Sequence, residues 1–175
     1  STLFPYTTLF RSSILHFLDL PQTDLLASYI EDVLPGDVTN REGHAAKVYF
    51  NVIFGKDFSR DSECAINAAL NYGYSILLSV VARDIVSLGY CTQLGLFHNN
   101  IFNPYNFASD LVEPFRPFID LTVIKMQPER LDCDEKIEIV NALNRTVRIA
   151  NKDNYMLNAI KVYVKSISDA LAKQD

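Results

Sequence analysis

The stretch INAALNYGYSILLSVVARDIV, residues 66–86, constrains the fold more than any other part of the chain. It is too long for a strand, and its apolar residues occupy almost every side of a helical projection instead of one stripe. A helix of this kind, running from about Ala65 to Leu88 and stopped by Gly89, belongs at the centre of other helices. Arg83 and Asp84 interrupt the apolar run. No run therefore reaches the length of a bilayer, and the segment reads as a core helix with no membrane partner.

The rest of the chain supplies the surrounding elements. In PQTDLLASYIEDVL, residues Leu25, Leu26, Tyr29, Ile30 and Val33 fall at helical spacing, and Pro35 and Gly36 close the segment. Thr39 or Asn40 is an N-cap for REGHAAKVYFNVIF, with Glu42 in the first turn, where a carboxylate meets the positive helix end, and Gly55 as the stop. TQLGLFHNNIFNPYN is rich in Asn and Gly and reads as loop. FASDLVEPFRPFIDLTVI reads as a helix that Pro114 and Pro117 bend or confine to regular hydrogen bonding in parts, and DEKIEIVNALN as another helix. TVRIANKDNYML predicts a short β-hairpin near residues 146–157, and NAIKVYVKSISDALAK a final amphipathic helix. The expected fold class is mostly α: one helical domain over residues 13–175 carrying a short hairpin.

The opening residues stand apart. STLFPYTTLFRS shows neither a helical stripe nor strand alternation, Pro5 interrupts both, and no signal or transit peptide is visible. Thr2 to Ser12 match one translated frame of a common short-read sequencing adapter, so residues 1–12 are expected to be an adapter-derived scar. SILHFLDL then reads as the end of a helix cut at its front.

Charge and cysteines narrow the classes of function. The formal net charge of −5 counts against a nucleic-acid binder, although Arg41, Lys47, Lys56, Arg60 and Arg83 gather in mid-chain and leave room for a local basic groove. Cys64, Cys91 and Cys133 are scattered and outside any C-x-x-C spacing. They fit a reducing bacterial cytoplasm better than a disulfide framework or a structural zinc site.

Among the histidines, His16 has no ligand-type neighbour at useful spacing, and His44 stands two residues after Glu42, which points their side chains apart. His98 lies in the Asn-rich loop, where an imidazole can be aimed at a cleft. Asp110 and Glu113 are three residues apart and share a helix face with Arg116. From spacing alone, an acidic face beside an arginine is the commoner arrangement and a metal site the rarer one. Were Glu42, His98 and a downstream carboxylate to converge, oxygen and imidazole donors without thiolate would suit Mg2+ or Mn2+ in an open site. Phosphodiester chemistry follows from such a site. No G-x-S-x-G elbow, Walker loop or dinucleotide fingerprint is present.

Four segments in order, NREGHAAKVYFNVIFGKDFSRD, INAALNYGYSILLSVVARDIV, LGLFHNN and YNFASDLVEPFRPFID, resemble the catalytic helical domain of the CRISPR spacer-acquisition integrases, the first of the Cas proteins, in their type II-A form. The resemblance implies a metal site on Glu42, His98 and Glu113, holding Mg2+ or Mn2+, with Asp110 as an auxiliary acid. Many relatives carry Asp at the position of Glu113. Asn67, Tyr72 and Tyr74 match a family stretch and are expected to organise the central helix and cleft wall; Arg41 and Lys47 are candidate DNA contacts.

The resemblance further implies a metal-dependent DNA integrase and endonuclease that joins protospacer 3′-hydroxyl ends to the CRISPR repeat without ATP. The implied partners are double-stranded DNA, a second copy in a homodimer, a small second Cas adaptation protein, and in type II systems the effector nuclease and a ring-shaped adaptation partner. Members of this family begin with a β-rich domain, so the chain is expected to be the C-terminal part of a longer integrase. The alternative is a scaffold of the same family that holds DNA or a partner without turnover.

Overall fold

The structure, a computed structural model, describes residues 5–20, 24–26, 28 and 41–173, with the side chains of residues 5–7, 41 and 42 outside that description. Its elements are α1 (Pro5–Phe17), α2 (Arg41–Phe54), α3 (Ala65–Ser87), α4 (Asn106–Val112), a 3-10 turn (Glu113–Phe115), α5 (Arg116–Met126), α6 (Cys133–Ala142), β1 (Thr146–Ile149), β2 (Lys152–Tyr155) and α7 (Met156–Leu171). The chain is mostly helical, as expected. The expected caps at Thr39 and Asn40, and most of the helix read through Leu25 to Val33, lie outside the described residues; residues 24–26 are helical, with Leu26 fully buried.

Helix α3 is the hub, packing against α4, α5, α6 and α7. Leu70, Gly73, Leu77, Val81 and Ile85 form its buried stripe, and Tyr72, Tyr74, Ile76, Leu78 and Val80 lie half-buried beside it. The enclosure is not complete. Asn71, Ser75, Ser79 and Arg83 make a polar stripe at helical spacing that faces solvent, and the serines return hydrogen bonds to the backbone of the preceding turn. By length and composition Ala65–Ser87 does reach what a bilayer requires, which corrects the expectation that no run would. Its four helix neighbours and its buried Asn67 and Asp84 are the surroundings of a core helix.

At Gly73 the helix has no side chain, so Ile119 of α5 can approach it; an added Cβ would stand 3.2 Å from Ile119 Cδ1. This close crossing brings α5, and with it the turn before it, onto α3. Pro114 and Pro117 sit at the two helix-start positions on either side of the break, where a missing N–H costs no intrahelical bond. The bend expected there is thus a 3-10 turn between two α-helices.

The expectation of no usable periodicity in the opening residues is corrected. Thr8, Arg11, Ser12 and Leu15 form one buried stripe of α1, against α2 and α5. A hydrophobic pattern could not reveal it, because three of the four are polar. That these residues form a helix concerns their packing and not their origin. The hairpin falls where expected, with Thr146 opposite Tyr155 and Ile149 opposite Lys152, closed through Ala150 and Asn151, both at positive φ.

Candidate metal and catalytic site

Asp110 on α4 anchors the loop that carries His98. Its Oδ2 accepts the backbone N–H groups of Leu96 at 2.5 Å and Phe97 at 3.1 Å, and its Oδ1 accepts that of His98 at 3.0 Å. The His98 ring completes the set, with Nδ1 at 2.6 Å from Oδ1. Because an ionised carboxylate can only accept, Nδ1 is the donor in this contact, and Nε2 lies on the side of the ring away from Asp110. The carboxylate side chain is 1% exposed and the imidazole 44% exposed. The ring is therefore held from behind and open in front.

Gly95 makes this clamp possible. A Cβ there would stand 2.9 Å from Asp110 Oδ2 and press on the His98 carbonyl as well. The glycine is needed for close approach of the loop to the carboxylate.

One helical turn after Asp110, Glu113 opens the 3-10 turn, with its side chain 17% exposed. Arg116 Nη1 lies 3.1 Å from Glu113 Oε1, and the same guanidinium sits over the Tyr74 ring at 5.1 Å. The Tyr74 hydroxyl donates to Asp120, a fully buried carboxylate that Arg11 also reaches, Nε to Oδ2, at 3.4 Å. Burial pushes the Asp120 carboxyl above its ordinary range, while Arg11, Tyr74 and Arg116 pull it back. Burial, and then the neighbouring Asp120, push the Tyr74 hydroxyl well above the usual tyrosine range.

The structure thus brings His98 and Asp110 into contact and sets Glu113 one turn away. Glu42 lies in the first turn of α2, its side chain outside the described residues; among the described residues no three metal-type side chains cluster. The donor set nevertheless fits a hard divalent cation. One imidazole nitrogen is turned outward by a carboxylate on its other side, as in metal-binding histidines generally, and Glu113 offers a carboxylate one helical turn after Asp110.

Lys47 is exposed on α2. Asn67 donates to the carbonyls of Ser59 at 2.8 Å and Ser62 at 2.7 Å and accepts from Arg60, fixing the turn that leads into α3. Arg60 is thereby committed, and Arg83 pairs with Asp84 at 3.1 Å, so two of the mid-chain cations serve the scaffold. Sequence reasoning passed over Asp120 and Gly95. The available signal for Asp120 was a carboxylate set among apolar residues on the Arg116 face of PFRPFID.

The chain is similar to known proteins across most of its length. The family model described as CRISPR associated protein Cas1 matches residues 35–142. The "CRISPR-associated endonuclease Cas1" of Neisseria meningitidis is 39% identical over 158 residues, 85% of this chain and 52% of that protein. The "CRISPR-associated endonuclease Cas1 1" of Pyrobaculum aerophilum is 36% identical over 95 residues, 52% of this chain and 32% of that one. The chain spans about half the length, or less, of these curated relatives.

Among solved structures, a casposase bound to integration product superposes with a TM-score of 0.77 at 26% identity, covering 98% of this chain and 63% of that one. A CAS1 protein from Thermotoga maritima gives a TM-score of 0.81 at 18% identity, covering 97% and 63%, a likeness of fold. With a family match over more than half of its residues, the chain belongs to the Cas1 family of CRISPR-associated proteins.

Proposed function

We propose that this chain carries the catalytic centre of a divalent-metal-dependent DNA integrase and endonuclease of CRISPR adaptation, which joins protospacer 3′-hydroxyl ends to the CRISPR repeat. The observation that carries this reading is the clamp of Asp110 on His98, which presents one imidazole nitrogen in a fixed tautomer. Family membership and the likeness to a casposase bound to integration product support it.

His98 through Nε2, with Glu42 and Glu113, would hold Mg2+ or Mn2+. When bound, the ion supplies Lewis acidity that activates a hydroxyl or water and steadies charge on a phosphate in flight. Asp110 acts behind the site, fixing the tautomer and direction of His98. Arg116 orients Glu113 through its ion pair to Oε1. Arg41 and Lys47 on α2 contact DNA phosphates, which position the duplex without reading its sequence. The full assembly includes double-stranded DNA, a second copy, a small second Cas protein and, in type II systems, the effector nuclease and a ring-shaped partner. Basic surface from those partners offsets the net charge of −5.

The test is Mn2+ binding by electron paramagnetic resonance, comparing the unaltered chain with Glu42→Ala, His98→Ala and Glu113→Ala, alongside strand joining with a 3′-hydroxyl duplex. One well-defined Mn2+ site, lost in all three variants together with joining, is expected. A folded unaltered chain with no such site would overturn the reading and favour a scaffold that holds DNA without turnover.

A further inference from the structure

The loop that holds His98 carries a second feature that metal chemistry does not use. No acidic or basic residue other than His98 stands between Asp84 and Asp110. Within this uncharged stretch Ile101 and Phe102 are each 91% exposed, the most exposed of the large apolar side chains described. Single exposed apolar residues are ordinary. Two adjacent ones at the tip of a firmly braced loop are not explained by packing.

The bracing is extensive. Asn106 at the start of α4 is 4% exposed, and its Nδ2 donates to the carbonyls of Gln93 at 3.0 Å and Asn100 at 2.8 Å. Asn100 Oδ1 accepts the Phe102 N–H at 2.9 Å, Asn103 Oδ1 accepts the Tyr105 N–H at 2.9 Å, and Thr92 Oγ1 donates to the Pro104 carbonyl at 2.8 Å. Residues 96–98 are fastened to Asp110 in the same way, so both arms of the loop are fixed to α4. The tip and the His98 ring are therefore parts of one rigid body, and the ordering entropy of the tip is spent before any partner arrives.

We propose that Ile101 and Phe102 form an apolar wedge that packs against unstacked bases of the DNA held at His98; this rests on the DNA-joining function proposed above. The reach is decisive for the choice of occupant. Phe102 stands four positions after His98, at most about 14 Å of chain, and a major groove is about 12 Å wide. A duplex engaged at His98 is wide enough to reach the tip. A loop without charge makes no ion pair with phosphate, whereas exposed aliphatic and aromatic side chains match the faces of bases, which apolar wedges unstack and kink. The wedge is thus set in register with the reacting phosphate.

The chain has no tryptophan, so Phe102→Trp places a single indole reporter at the tip. The experiment titrates F102W with a duplex carrying a 3′-hydroxyl branch and 2-aminopurine at the junction. F102W emission is expected to fall at least twofold on DNA addition and 2-aminopurine emission to rise. Phe102→Ala is expected to weaken DNA binding about tenfold and to abolish the 2-aminopurine rise. Binding with unchanged emission in F102W would overturn the wedge and leave the integrase reading standing. Loss of self-association in F102A by sedimentation, with DNA affinity unchanged, would assign the tip to a protein contact and also overturn it. No DNA binding by the unaltered chain would overturn the wedge and the integrase reading together.

Discussion

At Asp110 one carboxylate accepts four donors, so its removal separates two effects that sequence spacing could not distinguish. Asp110→Ala strands three backbone N–H groups in a part-buried loop, a loss of about 1–3 kcal/mol, and it frees the His98 ring to turn. Asp110→Asn keeps one acceptor oxygen and nearly the same shape, yet turns its amide hydrogens toward the two donors that the other oxygen accepted. We expect Asp110→Asn to unfold between the unaltered chain and Asp110→Ala while Mn2+ affinity and strand joining fall about 10–100-fold, measured by thermal unfolding and by the two assays in parallel. The spacing of Asp110 and Glu113 put both on one helix face. Only the packing shows that Asp110 points inward to the His98 loop while Glu113 stays partly open beside Arg116.

Among the elements, α6 has a start that local chemistry specifies fully. Asp132 and Glu135 form a capping box, in which the Asp132 N–H donates to Glu135 Oε2 at 2.9 Å. Hydrogen bonds from its own backbone N–H, and then from that of Asp132, hold the Glu135 carboxyl below its ordinary value of 4.5. A depressed folded pKa means that this contribution is present above the unfolded value and is lost as pH falls through the folded one. Glu135→Gln is therefore expected to lower stability slightly at pH 7 and to show a shrinking difference below about pH 4.5, read from urea unfolding at both pH values. Helix α1 is the opposite case. Its buried stripe of Thr8, Arg11 and Ser12 is polar, so neither period nor propensity could announce it.

For the whole molecule, the contact of α1 with the bundle turns on Arg11 and Asp120, 109 positions apart and 5% and 0% exposed. The Arg11 guanidinium also lies over the rings of Tyr49, at 5.2 Å, and Phe50, at 5.1 Å. Arg11→Leu leaves Asp120 buried without its cation and is expected to cost about 3–5 kcal/mol at pH 7. Because the folded Asp120 pKa is raised, the folded state binds the additional proton, and this penalty grows as pH rises through the interval above 3.8. The loss should shrink toward pH 4, and Arg11→Leu with Asp120→Asn should recover most of it at pH 7. Denaturant unfolding of the single and double variants at the two pH values checks both expectations.

The sequence by itself determined the central helix, the loop around His98, the break at Pro114 and Pro117 and the hairpin, because each is written in local periodicity, turn chemistry or proline sterics. It also named, through resemblance, the residues proposed for the metal site. Only the tertiary structure decided that Asp110 clamps His98, that Arg116 bridges Glu113 to Tyr74, that Asp120 lies buried beneath Tyr74 and Arg11, and that one stripe of α3 meets solvent. Those choices depend on which face of each helix meets another. That is set by packing between segments far apart in the chain, which no local spacing encodes.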